Sequence, residues 1–182
     1  MSLSPKDFHL IPMDENKHKE FISKLFNEYF SWASKEAKSK LNLSLFDEFG
    51  KNTMKNYIQT LMSHLDEYSP PYGSLLLIEG PNGEIVGLGA LKKLHSEDGE
   101  IKRMFVSPKF RGMKLGKKIL TGLIQEAKDK GYKELYLDSA VFMTSAHALY
   151  YSAGFQEIQP YDGTEIPLHV QKYWKYMKLS LE

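Results

Sequence analysis

A strand, a tight turn with two glycines and an amphipathic helix follow one another in residues 100–127, and this order constrains the fold most. The apolar residues of the helix fall on one face: Leu115, Ile119, Leu120, Leu123, Ile124 and Ala127. Such a turn leaves the first backbone N–H groups of the helix without partners. With the helix dipole, these groups form a site for an anion such as a pyrophosphate. Gly112 and Gly116 would let a phosphate approach the backbone closely.

Positive side chains surround this turn. Four of them lie within or beside it: Arg111, Lys114, Lys117 and Lys118. Arg103 and Arg111 are the two arginines of the chain, and both lie in this segment. A plain strand–turn–helix with a solvated lysine face would have the same glycines and charges, so both interpretations stand on this evidence alone.

The rest of the hydrophobic pattern predicts one α+β fold with a mixed sheet. Helices are expected at residues 21–32 and 144–151. Between them, a long second helix is expected to begin at Ser44 or Asp47, with its apolar stripe from Met54 to Leu65. Pro70 and Pro71 end the second helix, because proline cannot continue it. Strands are expected at residues 8–12, 74–79, 84–94, 100–106, 132–139, 155–159 and 172–181.

Composition narrows the function classes. The formal net charge is +1, which is too balanced to indicate binding to a nucleic-acid backbone or an anionic membrane. The absence of cysteine excludes disulfides, thiolate metal ligands and a cysteine nucleophile. The polar N-terminal residues and the lack of a long apolar run predict a soluble protein, and we expect a cytoplasmic one. The histidines form no close pair at ligand spacing, so no metal site is expected.

Two blocks of the sequence resemble motifs of one enzyme family. The turn resembles the phosphate loop of motif A of the GNAT superfamily of N-acetyltransferases, which reads Arg/Gln-x-x-Gly-x-Gly/Ala. Arg111 occupies the first position and Gly116 the last, whereas Lys114 replaces the middle glycine. A second block resembles motif B, which ends in Ala-x-x-Leu-Tyr-x-x-x-Gly-Phe. It matches in register at Ala146, Leu149, Tyr150, Gly154 and Phe155.

The resemblance implies a GNAT fold in a single domain of residues 1–182. Residues 84–155 would be its motif core, and residues 1–73 would supply a first strand and helices on the acceptor side. It further implies that acetyl-CoA enters a splay between the strands at residues 100–106 and 132–139. The implied cofactor-binding residues are Met104, Phe105, Val106, Arg111, Gly112, Met113, Lys114, Leu115, Gly116 and Lys117.

The reaction that the resemblance implies is direct acetyl transfer to an amine, with no enzyme nucleophile. Tyr150 matches the family position that often acts as general acid on the leaving thiolate. Glu100 is the first choice for a general base acting through water, although an exposed carboxylate at the strand end is an equal alternative. Asp138 is a second candidate. His147 has a suitable pKa for base chemistry, but a solvated or core-edge histidine is the better interpretation.

The acceptor is not specified by the motifs. A small-molecule amine and a peptide or protein amine both fit, with no nucleic-acid or membrane partner. The residues that we expect on the acceptor wall are Tyr29, Trp32, Tyr72, Tyr161 and Asp162. The motifs recognise CoA and do not specify the acyl group. The alternatives are therefore an acyltransferase that uses another acyl-CoA and a catalytically silent acyl-CoA-binding module. The family also permits a homodimer, for which no segment specifies an interface.

Overall fold

The computed structural model describes residues 3–50 and 53–182. Within them a mixed sheet contains strands in the order β1-β2-β3-β4-β5-β7-β6. The strands are β1 His9–Pro12, β2 Ser74–Glu79, β3 Ile85–Lys93, β4 Asp98–Val106, β5 Glu134–Ala140, β6 Gln156–Ile158 and β7 Trp174–Ser180. The β4–β5 pair is parallel, and the other neighbours are antiparallel. The α+β fold with a mixed sheet is therefore confirmed.

Helices cover both faces of this sheet. They are α1 Glu15–Leu41, α2 Leu45–Glu48, α3 Met54–Ser63, α4 Leu115–Asp129 and α5 Thr144–Ser152. Short 3-10 turns occur at Pro5–Asp7, Leu65–Tyr68, Pro108–Phe110 and Leu168–Tyr173. No helix in the described ranges has the length and apolar character that crossing a membrane requires.

The continuous apolar run of β2 is explained by burial on both faces. Leu75 and Leu77 pack into a cluster with α1 and α3, whereas Leu76 and Ile78 pack into a cluster with α4. This alternation is the period-two geometry of a strand. Glycine at position 89 lets α4 approach β3, because a Cβ there would lie 2.4 Å from Cγ2 of Ile119. The sheet is thus fixed between two cores, and the ends of its central strands are held in place.

The prediction of one long second helix was wrong. The segment contains two separate helices, α2 and α3, and Gly50 between them has a φ of 63°. A positive φ interrupts a right-handed helix, and glycine adopts it without a steric penalty. Residues 51–52 of the predicted helix lie outside the described part of the chain. Ser44 precedes α2 without a capping hydrogen bond, whereas Thr53 caps α3 by accepting from the N–H of Asn56.

Candidate active site

Strands β4 and β5 pair over only the first part of their length. Their parallel ladder joins residues 98–100 to residues 134–136. Beyond Glu100, β4 pairs with β3 along one edge, and no described strand pairs with its other edge. The splay expected between these strands is therefore present, and the backbone of residues 104–106 lies along its open side.

A pocket lies at this splay. Its wall is largely aromatic: Tyr29, Phe30, Phe46, Phe49, Tyr57, Phe142 and Trp174. Four charged side chains also line it: Lys102, Arg103, Asp138 and Glu165. The pocket thus combines apolar rings with a small group of charges, which is the usual composition of a small-molecule site.

A β-bulge in β4 directs two of these charges to the pocket. Leu88 pairs with Phe105 and Ala90 pairs with Lys102, so β4 has one residue more than β3 across this interval. Arg103 lies inside the bulge with a φ of 59°. A bulge re-aims side chains, and here consecutive residues, Lys102 and Arg103, both line the pocket.

A buried network connects the pocket to the start of β4. The Lys102 ammonium donates to Oε1 of Glu100 and to Oδ2 of Asp138, each at 3.0 Å. The Tyr161 hydroxyl donates to Oε1 of Glu100 at 2.6 Å. Burial lowers the pKa of Lys102, but the Asp138 and Glu100 carboxylates outweigh it and raise that pKa above its usual value. Lys102 is therefore a permanent cation that holds both carboxylates.

The two carboxylates differ in access. The Glu100 side chain is 0% exposed and the Asp138 side chain is 10% exposed. Only Asp138 of the two lines the pocket. The alternative of an exposed carboxylate at Glu100 is wrong, because Glu100 lies behind Lys102 and Tyr161. A ligand in the pocket would meet Asp138 first.

Glu165 faces the same cations from the loop that precedes β7. It accepts a hydrogen bond from Lys92 at 2.7 Å, and its other oxygen lies 3.6 Å from Lys102 and 3.5 Å from Arg103. Burial raises the pKa of Glu165, but Lys102, Arg103 and Lys92 outweigh that effect and lower it to about 2. The carboxylate is therefore ionised at any pH where the protein would work.

The turn before α4 presents a row of backbone donors. The N–H groups of residues 113–117 donate to no acceptor in the described part of the chain, and the first helical bond is from Lys118 to the Lys114 carbonyl. Gly112 and Lys114 have φ values of 82° and 58°. Lys114 thus adopts the left-handed conformation that the usual glycine of this motif position tolerates best. The turn is formed despite the substitution.

The positive side chains near the turn are placed less uniformly than expected. Lys114 and Lys117 are exposed beside it. The Arg111 Nε donates to the Val106 carbonyl at 3.2 Å, and its guanidinium lies 5.2 Å from the ring centre of Trp32. Lys118 donates to the Phe8 carbonyl, so its ammonium already has a partner within the protein. The candidate anion site therefore consists mainly of backbone N–H groups.

Two titratable side chains of α5 are buried near the splay. Tyr150 is 6% exposed, and its ring packs against Phe155 with centroids 5.9 Å apart. Burial raises the pKa of Tyr150, so the phenol keeps its proton. His147 is buried, its Nε2 lies 3.1 Å from Oγ of Ser139, and burial lowers its pKa. His147 is therefore a neutral core residue, not a solvated one.

Comparison with known proteins decides the family. A model of the Acetyltransferase (GNAT) family matches residues 21–155. The chain belongs to the GNAT family. An uncharacterized N-acetyltransferase of Schizosaccharomyces pombe is 33% identical over 139 residues, which cover 74% of this chain and 80% of the relative.

Solved GNAT structures share the fold. A GNAT acetyltransferase of Staphylococcus aureus superposes with a TM-score of 0.71 at 22% identity, over 96% of this chain and 99% of its own. The PaiA N-acetyltransferase of Thermoplasma acidophilum, solved in complex with coenzyme A, gives 0.65 at 17% identity over 99% of each chain. At these identities the likeness establishes the GNAT fold and no more.

The acceptor side of this GNAT domain differs from the sequence-based expectation. Tyr29 lines the pocket, and Tyr161 belongs to the network behind it. Tyr72 lies 57% exposed under Lys93, and Asp162 is exposed, so neither lines the pocket. The residues that sequence reasoning missed are Lys102, Arg103, Glu165, Phe46, Phe49, Phe142 and Trp174. The rarity of arginine was the one available signal, and it pointed to Arg103.

Proposed function

We propose that residues 1–182 form one acetyltransferase domain that transfers an acetyl group from acetyl-CoA to a primary amine. The observation that carries this proposal is the splay, where the open edge of β4, the donor-rich turn before α4 and a charged aromatic pocket adjoin. The coenzyme A bound to the Thermoplasma relative supports the same donor for this chain.

The donor side would use backbone groups. The pantetheine arm would run along residues 104–106, and the pyrophosphate would accept hydrogen bonds from the turn. Arg111, Gly112, Met113, Lys114, Leu115, Gly116 and Lys117 would surround it, with the free N–H groups of residues 113–117 as the main donors. Anionic ligands at helix N-termini are stabilised by such N–H groups and by the helix dipole.

The acceptor side would use the pocket. A neutral amine attacks the thioester carbonyl, the C–N bond forms, the C–S bond breaks, and CoA leaves as a thiolate. A backbone N–H of the bulged segment near Arg103 would stabilise the developing oxyanion. Asp138 is the carboxylate that reaches the pocket, so it would orient the ammonium and accept its proton, directly or through water. Glu100 would act behind it as a positioning residue, through Lys102 and Tyr161.

Tyr150 would serve the leaving group. Its phenol stays protonated because burial raises its pKa, so it can donate a hydrogen bond to the CoA sulfur as negative charge develops. The higher pKa makes complete proton transfer to the thiolate less favourable. Stabilisation of the thiolate by hydrogen bonding, followed by protonation from solvent, is therefore the role that fits best.

A thiol-release assay tests this function. The protein is incubated with acetyl-CoA and a panel of amines and amino acids, free CoA is measured, and mass spectrometry identifies the product. We expect stoichiometric CoA and N-acetyl product for at least one acceptor class. Acetyl-CoA binding without turnover on any amine would instead favour the silent acyl-CoA-binding module.

A further inference from the structure

Arg103 is a buried cation with few of its hydrogen bonds made. Its side chain is 12% exposed, and its Nε is buried without a partner. Among the described residues no hydrogen bond comes from its guanidinium, and its ion-pair partner, Glu165, lies 3.5 Å away. The rings of Phe30 and Tyr57 lie 5.9 and 5.6 Å from it. A guanidinium has five N–H donors, so Arg103 has unused capacity inside the pocket.

Two unfavourable features coincide at this residue. A charge buried without hydrogen bonds is costly, and a left-handed backbone conformation is strained in a residue other than glycine. Both are retained where the bulge places Arg103 on the pocket wall. Strain of this kind concentrates at binding sites, where the surrounding structure holds it in place. Arg103 is therefore suited to bind an anion in this pocket.

The neighbouring charges define the anion. Glu165 and Asp138 also line the pocket and balance the charges of Lys102 and Arg103. A dianion such as a phosphate monoester would be repelled by both carboxylates. A single carboxylate fits better, since the planar guanidinium fork binds a carboxylate through two parallel hydrogen bonds of about 2.7–2.9 Å. Asp138 in turn offers a partner for an ammonium group.

We propose that the acceptor is a primary amine that also carries a carboxylate, and that Arg103 binds this carboxylate. The inference rests on the proposed function and names its substrate class. Glu165 shares Arg103 only at 3.5 Å, so it leaves room for the closer contact that a substrate carboxylate makes. The aromatic wall would hold an apolar side chain of the acceptor.

Matched pairs of ligands test the carboxylate at nearly constant size. The probes are L-phenylalanine with L-phenylalaninamide, and L-alanine with L-alaninamide, tested at pH 8 by calorimetry in the presence of CoA and by thiol release with acetyl-CoA. Each pair has the same size and differs in the anion. The amide has the less basic amine, so a preference for the acid cannot come from a more abundant neutral nucleophile.

We expect the acid of at least one pair to bind at least 10-fold more tightly than its amide. Arg103→Met should abolish this preference, and Glu165→Gln should tighten acid binding several-fold by removing the competing carboxylate. Lys24→Met removes an exposed lysine of α1 as a matched control and should change neither. Poor folding would weaken ligand binding in either variant. The combined result, weaker acid binding in Arg103→Met and tighter acid binding in Glu165→Gln, therefore cannot come from poor folding.

The proposal would be overturned if both amides bound as tightly as their acids or more tightly. It would also be overturned if neither acid bound. An unchanged preference in Arg103→Met would do the same. Failure of the proposed function gives a different result: no amine would be acetylated, while the calorimetric comparison of acid and amide would still report on Arg103.

Discussion

The Lys102 ammonium lies 3.0 Å from the Glu100 carboxylate, and solvent reaches 5% of one side chain and 0% of the other. The pair stands between the pocket and the paired start of β4, and Lys102 also holds Asp138 at 3.0 Å. Lys102 thus pairs with two carboxylates, while Glu100 also has the Lys92 ammonium at 3.8 Å and the Tyr161 hydroxyl as a donor. This arrangement supports the proposed positioning role of Glu100 and the proposed contact of Asp138 with the acceptor.

Lys102→Met should strongly destabilise the protein. Removing one partner of a buried ion pair leaves an uncompensated charge and costs about 3–5 kcal/mol. Urea unfolding followed by circular dichroism measures the loss. Adding Glu100→Gln to the same protein should recover part of it, because one of the two stranded charges is then gone. If Lys102→Met alone were as stable as the wild type, the network would contribute no net stability.

Lys114→Gly should stabilise the protein slightly. The left-handed conformation costs about 1–2 kcal/mol in a residue other than glycine. The greater freedom of glycine in the unfolded chain offsets about 0.4–1 kcal/mol of that. Lys114→Ala is the matched control, since it removes the charge and keeps the strain. Thermal unfolding should rank the glycine variant above the alanine variant, and the reverse order would contradict the account of this turn.

Gly116→Glu should weaken acetyl-CoA binding through charge. A Cβ at this position would meet only Cδ2 of Leu149, at 3.5 Å, so a side chain fits without a clash. A carboxylate there would oppose the pyrophosphate in the field of the same N–H groups. Gly116→Gln has the same shape without the charge. We expect the dissociation constant of acetyl-CoA to be at least about 10-fold higher for the glutamate variant than for the glutamine variant, and this difference should decrease with added salt. Equal constants would mean that the phosphate site lies elsewhere.

Tyr150→Phe should lower kcat by about 100-fold while leaving acetyl-CoA affinity unchanged, which is the usual effect of losing a general acid or its hydrogen bond. The ring contact with Phe155 is retained in this variant. Tyr151→Phe is the neighbouring control, because that hydroxyl donates to Glu157 on the surface. Steady-state kinetics and calorimetry separate the two quantities. Equal kcat values in the two variants would remove Tyr150 from the reaction.

The fold was largely predictable because its signals are local. The apolar stripe of α4, the strand pattern of residues 74–79 and the two motif blocks each lie within a short stretch, and the structure places them as expected. The division of the second helix at Gly50 was missed, since an apolar stripe continues in register on both sides of it. The donor side of the site was likewise expected from contiguous residues 104–117.

The acceptor side depends on tertiary structure and was predicted only in part. Its charged residues, Arg103, Asp138 and Glu165, are far apart in the chain and meet only through the splay and the late loop. Glu100 occupies a strand position that looks exposed from its neighbours, and its burial follows from Tyr161, a residue that lies 61 positions away. The bulge at Arg103 leaves no mark in the hydrophobic pattern. Such features depend on how distant segments pack together.

Calorimetric titration with acetyl-CoA tests the central claim most directly, with S-acetylpantetheine and adenosine as fragments that lack the pyrophosphate. We predict saturable one-to-one binding of acetyl-CoA, and much weaker binding of both fragments. This result would place the donor on the turn at residues 111–117. The absence of both binding heat and thermal stabilisation by acetyl-CoA would contradict the account, and the acetyltransferase proposal would fall with it.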